Sequence, residues 1–141
     1  MHFLLSASID IDCGGTVAQV TTPGSVIQTP DFPSDYLNNQ DCKAVIQLAQ
    51  GERVLIEFLS FNVPFSGSMD CPYDWLEIRD GNDSNADLLL KACYEKKPST
   101  IVSSGNSLHL HFHSDHKSSK VFSSSGFLLK VRTPGMQYFF E

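Results

Sequence analysis

The chain has 141 residues and a net charge of −6, and 18% of its residues are charged. This length and composition indicate one folded domain with one core, and they exclude a largely disordered chain. The acidic balance, without a cluster of Lys or Arg, argues against a nucleic-acid partner and against docking on anionic lipid, because both need a basic surface. A cationic partner or a divalent cation fits the charge better.

The first residues do not resemble a secretion signal. Residues 1–8 contain no Lys or Arg and only a three-residue apolar run, which is too short for the apolar region of such a signal. We therefore expect either that the true start of the protein is missing or that these residues mark an artificial boundary. No apolar run in the sequence approaches the length needed to span a membrane.

Short apolar stretches separated by turn signals recur along the chain. This spacing predicts an all-β sandwich or barrel. The predicted strands are 24–28, 43–48, 53–61, 74–79, 88–92, 100–102, 107–113 and 126–132. No stretch keeps a 3.6-residue apolar period for ten residues, so no helix is predicted.

The most informative stretch is 71–81, which runs from a cysteine through a strand into an Asp-Gly turn. Alternation places Asp74 on the same face as the apolar Leu76 and Ile78. A carboxylate so placed must be hydrogen-bonded, ion-paired or metal-bound, because leaving it buried and unpaired is costly. Trp75 lies on the other face, where it is either an exposed anchor for a partner or, with the strand reversed, an inward residue.

The four cysteines indicate two disulfides. Cys13, Cys42, Cys71 and Cys93 are all more than twenty residues apart and form no Cys-x-x-Cys pair of the kind that zinc modules use. Disulfides imply an oxidising compartment. Three pairings are possible, and sequential pairing is a choice that needs further support.

Four histidines lie close together in the sequence. They are His109, His111, His113 and His116. The first three alternate with apolar residues, which predicts the polar face of a strand. Two imidazoles on one face could bind zinc, but no third or fourth ligand is evident. A surface that gains charge as the pH falls through about 6.5 is the better interpretation.

The sequence contains one acceptor motif for a glycan and lacks two common motifs of hydrolases. Asn82-Asp83-Ser84 is an acceptor sequence for an N-linked glycan if the chain is secreted. The sequence has no Gly-x-Ser-x-Gly elbow and no His-Glu-x-x-His helix, so we predict no catalytic residues and no enzymatic activity.

Taken in order, several motifs resemble a CUB domain. They are Cys13-Gly14-Gly15, the loop 29–36 ending at Tyr36, Cys42, Phe58 and Phe61, the stretch 71–81, Cys93, Ser114-Asp115 and Ser125-Gly126-Phe127. The resemblance implies a sandwich of two antiparallel sheets, disulfides joining the first to the second and the third to the fourth cysteine, an extracellular setting and a role in protein recognition. It predicts a CUB domain over 13–133, an N-terminal extension over 1–12 and a tail or severed linker over 134–141.

Many CUB domains bind calcium at one end of the sandwich, and the resemblance implies part of that site here. Tyr36, Asp74 and Asp115 match the family's pattern. The glutamate of the pattern is missing, because its place falls on Pro64, and Asp70 is the acid that could stand in. Two carboxylates would give a weak calcium site, since calcium wants six to eight oxygen ligands. In the opposing interpretation, Asp74 and Asp115 accept loop hydrogen bonds.

The leading functional hypothesis is an extracellular recognition module that uses this loop end. Its acidic oxygens would receive a Lys or Arg of a protein partner. One alternative is a module that binds carbohydrate or another small ligand. Another is an accessory domain of a larger secreted protease.

Overall fold

The computed structural model describes residues 8–65, 70–115 and 124–135. Within these ranges the secondary structure is all-β. They contain no helix that could cross a lipid bilayer. The ten strands are β1 (Ser8–Asp10), β2 (Ala18–Val20), β3 (Val26–Gln28), β4 (Asp41–Gln47), β5 (Leu55–Asn62), β6 (Trp75–Arg79), β7 (Leu88–Ala92), β8 (Ile101–Val102), β9 (Ser107–His113) and β10 (Gly126–Arg132).

The strands form two five-stranded sheets that pack as a sandwich. Sheet A has the order β1-β3-β10-β5-β8, and sheet B has the order β2-β4-β9-β6-β7. The predicted two-sheet sandwich is confirmed. The prediction of purely antiparallel sheets needs one correction, because β1 pairs with β3 and β2 pairs with β4 in parallel.

Eight of the ten strands were predicted, and the predicted strands 107–113 and 126–132 have the observed bounds, whereas the longest, predicted over 53–61, is observed over Leu55–Asn62. β1 and β2, of three residues each, were not predicted. β1 lies within the predicted N-terminal extension, yet it pairs with β3, and Ile11 after it is 1% exposed. Sheet A therefore includes residues 8–10, while the domain boundaries themselves remain predictions. The predicted tail residues 136–141 and the first seven residues lie outside the described ranges.

The core lies between the two sheets and follows the alternation of the strands. Leu108, Leu110 and Phe112 of β9 are fully buried, as are the inward residues of β10. The two sheets meet where the ring of Phe112 packs edge-on against Phe127, with 5.7 Å between centroids. Burying such side chains is the main favourable contribution to folding.

Both disulfides have the pairing that the resemblance implied. Cys13 is bonded to Cys42 in β4, and Cys71 before β6 is bonded to Cys93 after β7. The pairs are 29 and 22 residues apart. Cross-links of this span stabilise a fold by roughly 3 to 4 kcal/mol each, chiefly by restricting the unfolded chain.

Gly126, at the start of β10, occupies a position that no other residue fits. Its φ is +86°, a left-handed conformation that favours glycine. An added Cβ would also overlap the side chain of Thr29. Thr29 is buried, and its hydroxyl accepts a hydrogen bond from Phe127 N at 3.2 Å and donates one to Ser125 O at 3.2 Å. The glycine therefore allows the loop before β4 to dock against β10.

Substituting Gly126→Ala should destabilise the protein far more than the matched change Gly51→Ala. Gly51 has a φ of +92° but open space around its Cα, so alanine there costs only the backbone strain of about 1 to 2 kcal/mol. At Gly126 the overlap with Thr29 adds roughly 1 to 3 kcal/mol more. Urea unfolding of both variants with intact disulfides measures the difference, and equal losses would show that Thr29 yields without cost.

Candidate functional site

The register of sheet B brings the predicted site residues to one end of the sandwich. Trp75 at the start of β6 pairs with His113 at the end of β9, and His113 pairs on its other side with Asp41 at the start of β4. Asp74, Asp115 and the loop 36–40 must therefore lie at this same end, which we call the loop end. Antiparallel pairing alone accounts for their proximity.

Asp74 holds the loop end together. Its Oδ2 accepts a hydrogen bond from the hydroxyl of Tyr36 at 2.6 Å, and its Oδ1 accepts one from the backbone N–H of Asp115 at 2.8 Å. The sequence left open whether this carboxylate is hydrogen-bonded, ion-paired or metal-bound. The structure shows that it is hydrogen-bonded to Tyr36 and Asp115, two of the three other predicted residues.

Tyr36 is a core residue whose hydroxyl reaches the loop end. Its side chain is 2% exposed, and its ring packs edge-on against Phe112 with 4.9 Å between centroids. Burial raises the pKa of the Tyr36 hydroxyl well above its usual range, and the hydrogen bond to Asp74 and the charge of that carboxylate raise it further. The phenol therefore remains a donor to Asp74 at every physiological pH.

The loop 36–40 is attached to the end of β9 by a second set of bonds. Ser114 Oγ donates to Leu37 O at 2.7 Å and accepts from Gln40 N at 2.9 Å. Asn39 N donates to Asp115 O at 3.0 Å. Ser114 is 1% exposed, so these buried polar groups satisfy one another. The loop has one fixed position relative to Asp115.

A polar cleft of about 310 Å³ opens beside these residues. Its walls are formed by Asn39, Gln40, Asp41, His113, Ser114 and Asp115. Asp41, Asn39 and Gln40 were not among the predicted site residues. The position of Asp41 next to Cys42 was visible in the sequence, but only the pairing of β4 with β9 shows that it faces this cleft.

The described residues of the loop end assemble fewer carboxylates than a tight calcium site uses. Asp74 and Asp115 supply two carboxylates, and each Asp74 oxygen already accepts one hydrogen bond. Asp70, the predicted stand-in for the missing glutamate, is exposed. Among residues 8–65, 70–115 and 124–135, no three acidic, histidine or cysteine side chains are placed to hold a metal. Calcium binding by Tyr36, Asp70, Asp74 and Asp115 thus remains a prediction.

Trp75 lies on the outer face of sheet B and is half-buried there, so its outward orientation is observed while its role as an anchor for a partner stays a prediction. Its ring stacks on His113 at 5.1 Å, meets His111 edge-on at 4.8 Å, and has the Lys91 ammonium 5.0 Å from its centroid. Leu76 and Ile78 face the core with no exposure. The tryptophan is therefore covered in part by cationic and imidazole side chains.

Asp41 links this outer face to the cleft. Its Oδ1 lies 2.7 Å from His111 Nε2 and 3.5 Å from His113 Nδ1. Partial burial opposes ionisation, but the hydrogen bonds and charges of the two histidines outweigh it and lower the pKa of the Asp41 carboxyl. The cleft therefore keeps this negative charge at neutral pH.

His109 differs from the other histidines of β9. It is 5% exposed, and burial lowers the pKa of its imidazole, helped by the nearby charges of His111 and Lys43. The predicted polar face is thus partly covered at this position. His116 lies outside the described residues, and the zinc hypothesis gains no third ligand within them.

Asn82 lies at the other end of sheet B. It is exposed in the loop between β6 and β7, and β6 separates it from Asp74. Five strand residues and their flanks span roughly 15 to 20 Å, so Asn82 and the loop end lie at opposite ends of β6.

Comparisons with known proteins agree with the fold. The model of the CUB domain family matches residues 13–130. Neuropilin-2 of Rattus norvegicus is 38% identical over 108 residues, which cover 76% of this chain and 11% of that protein. The chain thus spans about a tenth of the length of this relative.

Two solved structures share the sandwich. The MASP-1 CUB2 domain bound to Ca2+ is 27% identical, with a TM-score of 0.71 over 85% of this chain and 99% of that one. The full extracellular region of zebrafish Gpr126/Adgrg6 is 26% identical, with a TM-score of 0.70 over 86% of this chain and 15% of that one. The setting of this module is extracellular, in agreement with its two disulfides. The chain belongs to the CUB domain family.

Proposed function

We propose that this chain is an extracellular protein-recognition module that binds a Lys or Arg side chain of a protein partner at its loop end. The observation that carries the proposal is the bridge formed by Asp74 between Tyr36 and Asp115, beside the polar cleft. The bridge fixes the acidic groups before a partner arrives, so little conformational entropy is lost on binding.

The chemistry of the cleft supports a cationic ligand group. Asp41 and Asp115 line it, and the rest of its lining consists of the amides of Asn39 and Gln40, the hydroxyl of Ser114 and the imidazole of His113. An ammonium or guanidinium group entering the cleft would form charge-assisted hydrogen bonds with these carboxylates, which are shorter and stronger than neutral ones. The net charge of −6 would also speed the approach of a basic partner.

Calcium support is part of the proposal, because a CUB domain similar to this chain binds Ca2+. Asp74 and Asp115 would hold the ion, with Asp70 completing the acidic set and Tyr36 orienting Asp74. A bound ion would supply a fixed positive charge that ties the loops together. With two assembled carboxylates the affinity would suit extracellular millimolar calcium.

Two other functions are weighed against this one. Amide and carboxylate groups in an open cleft could also bind sugar hydroxyls, and a glycan array tests that alternative. The role of an accessory domain in a larger secreted protease concerns neighbouring domains, and identification of the full-length transcript tests it.

Substituting Asp115→Asn should weaken partner binding at least about tenfold, equivalent to about 1.4 kcal/mol, because it removes a carboxylate from the cleft. A panel of extracellular proteins screened with the chain would supply the partner, and biolayer interferometry would give the affinities. The matched control is Asp87→Asn, which removes the same charge from an exposed position at the opposite end of sheet B. Equal affinities of the two variants would contradict the proposal.

Calcium should raise the melting temperature of the native protein at millimolar concentration, and a chelator should reverse the rise, because a ligand that binds only the folded state stabilises it. Asp74→Asn and Asp115→Asn should each abolish this response, while Asp87→Asn should keep it. Differential scanning calorimetry measures the shift. A calcium response that persists in both loop-end variants would place the ion elsewhere.

Substituting Tyr36→Phe should destabilise the fold by roughly 1.5 to 3 kcal/mol at neutral pH, because it leaves a carboxylate oxygen of Asp74 without its phenol donor while keeping the ring in the core. Tyr73→Phe is the control. Tyr73 is 40% exposed, so its change should stay within about 0.5 kcal/mol. Urea unfolding measures both.

A comparison of the native protein with Tyr36→Phe at alkaline pH tests the raised pKa of Tyr36. Because its pKa is raised in the folded protein, the stability that it contributes is fully present below the unfolded value of about 10 and is lost as the pH rises further. Unfolding free energy should therefore fall more steeply above pH 10 in the native protein than in Tyr36→Phe. Parallel pH profiles of the two proteins would show that folding does not raise the pKa of Tyr36.

A further inference from the structure

One edge of sheet B, formed by β7, exposes apolar side chains. β7 is the last strand of the sheet and pairs only with β6 among the described strands. Its first two residues, Leu88 and Leu89, are 47% and 42% exposed. An exposed apolar edge strand can pair with a strand of another chain through main-chain hydrogen bonds. By contrast, the opposite edge strand, β2, has three residues and a buried Val20.

The acceptor sequence at Asn82 lies directly before this edge. Asp80 N donates to Asp87 O at 2.8 Å, so the two ends of the connecting loop meet at the start of β7. Asn82 is two residues from Asp80, which limits the distance between their Cα atoms to about 7 Å. The glycan acceptor therefore lies close to Leu88.

Internal bonds hold the loop in a defined shape. Asp83 Oδ1 accepts from Asn85 N at 2.8 Å, and Ala86 N donates to Asp83 O at 3.3 Å. Arg79 Nη1 donates to Ala86 O at 3.0 Å. The side chains of Asn82 and Ser84 are exposed, as an acceptor sequence must be. A group attached to Asn82 would thus keep a constant relation to β7.

We infer that Asn82 carries an N-linked oligosaccharide and that this glycan shields the β7 edge from pairing with a second chain. In the covalent step, Asn82 Nδ2 forms a bond to the anomeric carbon of a lipid-pyrophosphate-linked oligosaccharide. The bond from that carbon to the pyrophosphate oxygen breaks, the lipid pyrophosphate leaves, and Nδ2 loses one proton. The inference uses the extracellular setting of the chain and does not depend on the function proposed for the loop end.

Intact mass spectrometry of the chain secreted from cultured animal cells tests the modification. The native protein should be heavier than its peptide mass by one oligosaccharide, which peptide-N-glycosidase removes while converting Asn82 to aspartate. Asn82→Gln and Ser84→Ala should both have the bare peptide mass, whereas Ser84→Thr should keep the glycan. A native protein secreted at its bare peptide mass would overturn the inference.

Sedimentation velocity over a range of concentrations tests the shielding. Asn82→Gln, and the native protein after enzymatic deglycosylation, should associate towards twice the monomer mass, while the glycosylated protein stays monomeric. Adding Leu89→Lys to Asn82→Gln should restore the monomer. Adding Leu59→Lys instead should not, because Leu59 is also exposed, at 40%, but lies on β5 of the other sheet. Deglycosylated protein that stays monomeric at every concentration would overturn the shielding role.

Discussion

The loop end depends on one half-buried carboxylate, that of Asp74. Asp74 lies between the disulfide-bonded Cys71 and the start of β6. Both of its carboxylate oxygens accept hydrogen bonds from groups that are distant in sequence. Since an unpaired carboxylate inside a protein is costly, the chain must bring Tyr36 and Asp115 to it. This requirement fixes two loops against each other and makes their relative position a property of the folded state.

The bonds of Asp74 also order the wall of the cleft. Asp74 holds Asp115, which lines the cleft, so under the proposed function the acidic group is in place before a ligand binds. The outer face of sheet B extends this surface, because Asp41 contacts both the cleft and the two histidines beside Trp75. The proposed recognition site at this end and the proposed glycan site at Asn82 are separated by the length of β6.

Much of this organisation could be predicted from the order and spacing of residues along the chain. The alternation of β9 and β10 predicted their bounds, and cysteine spacing predicted disulfides, with the pairing supplied by the resemblance to CUB domains. The same resemblance selected Tyr36, Asp74 and Asp115, which the structure brings together. It did not reveal Asp41, because no local pattern marks a residue whose importance comes from the strand beside it. β1 and β2 were missed as well, and each is placed in its sheet by parallel pairing with a later strand, β3 or β4.

The sequence by itself determined the class of fold, the inward and outward faces of the longer strands and the acidic character of the chain, since these depend on residue type and spacing along one segment. Only the tertiary structure decided which polar groups satisfy Asp74, which residues line the cleft and which strand is left at an exposed edge. Those features depend on the register between segments far apart in the chain, and register is set by the packing of the whole sandwich.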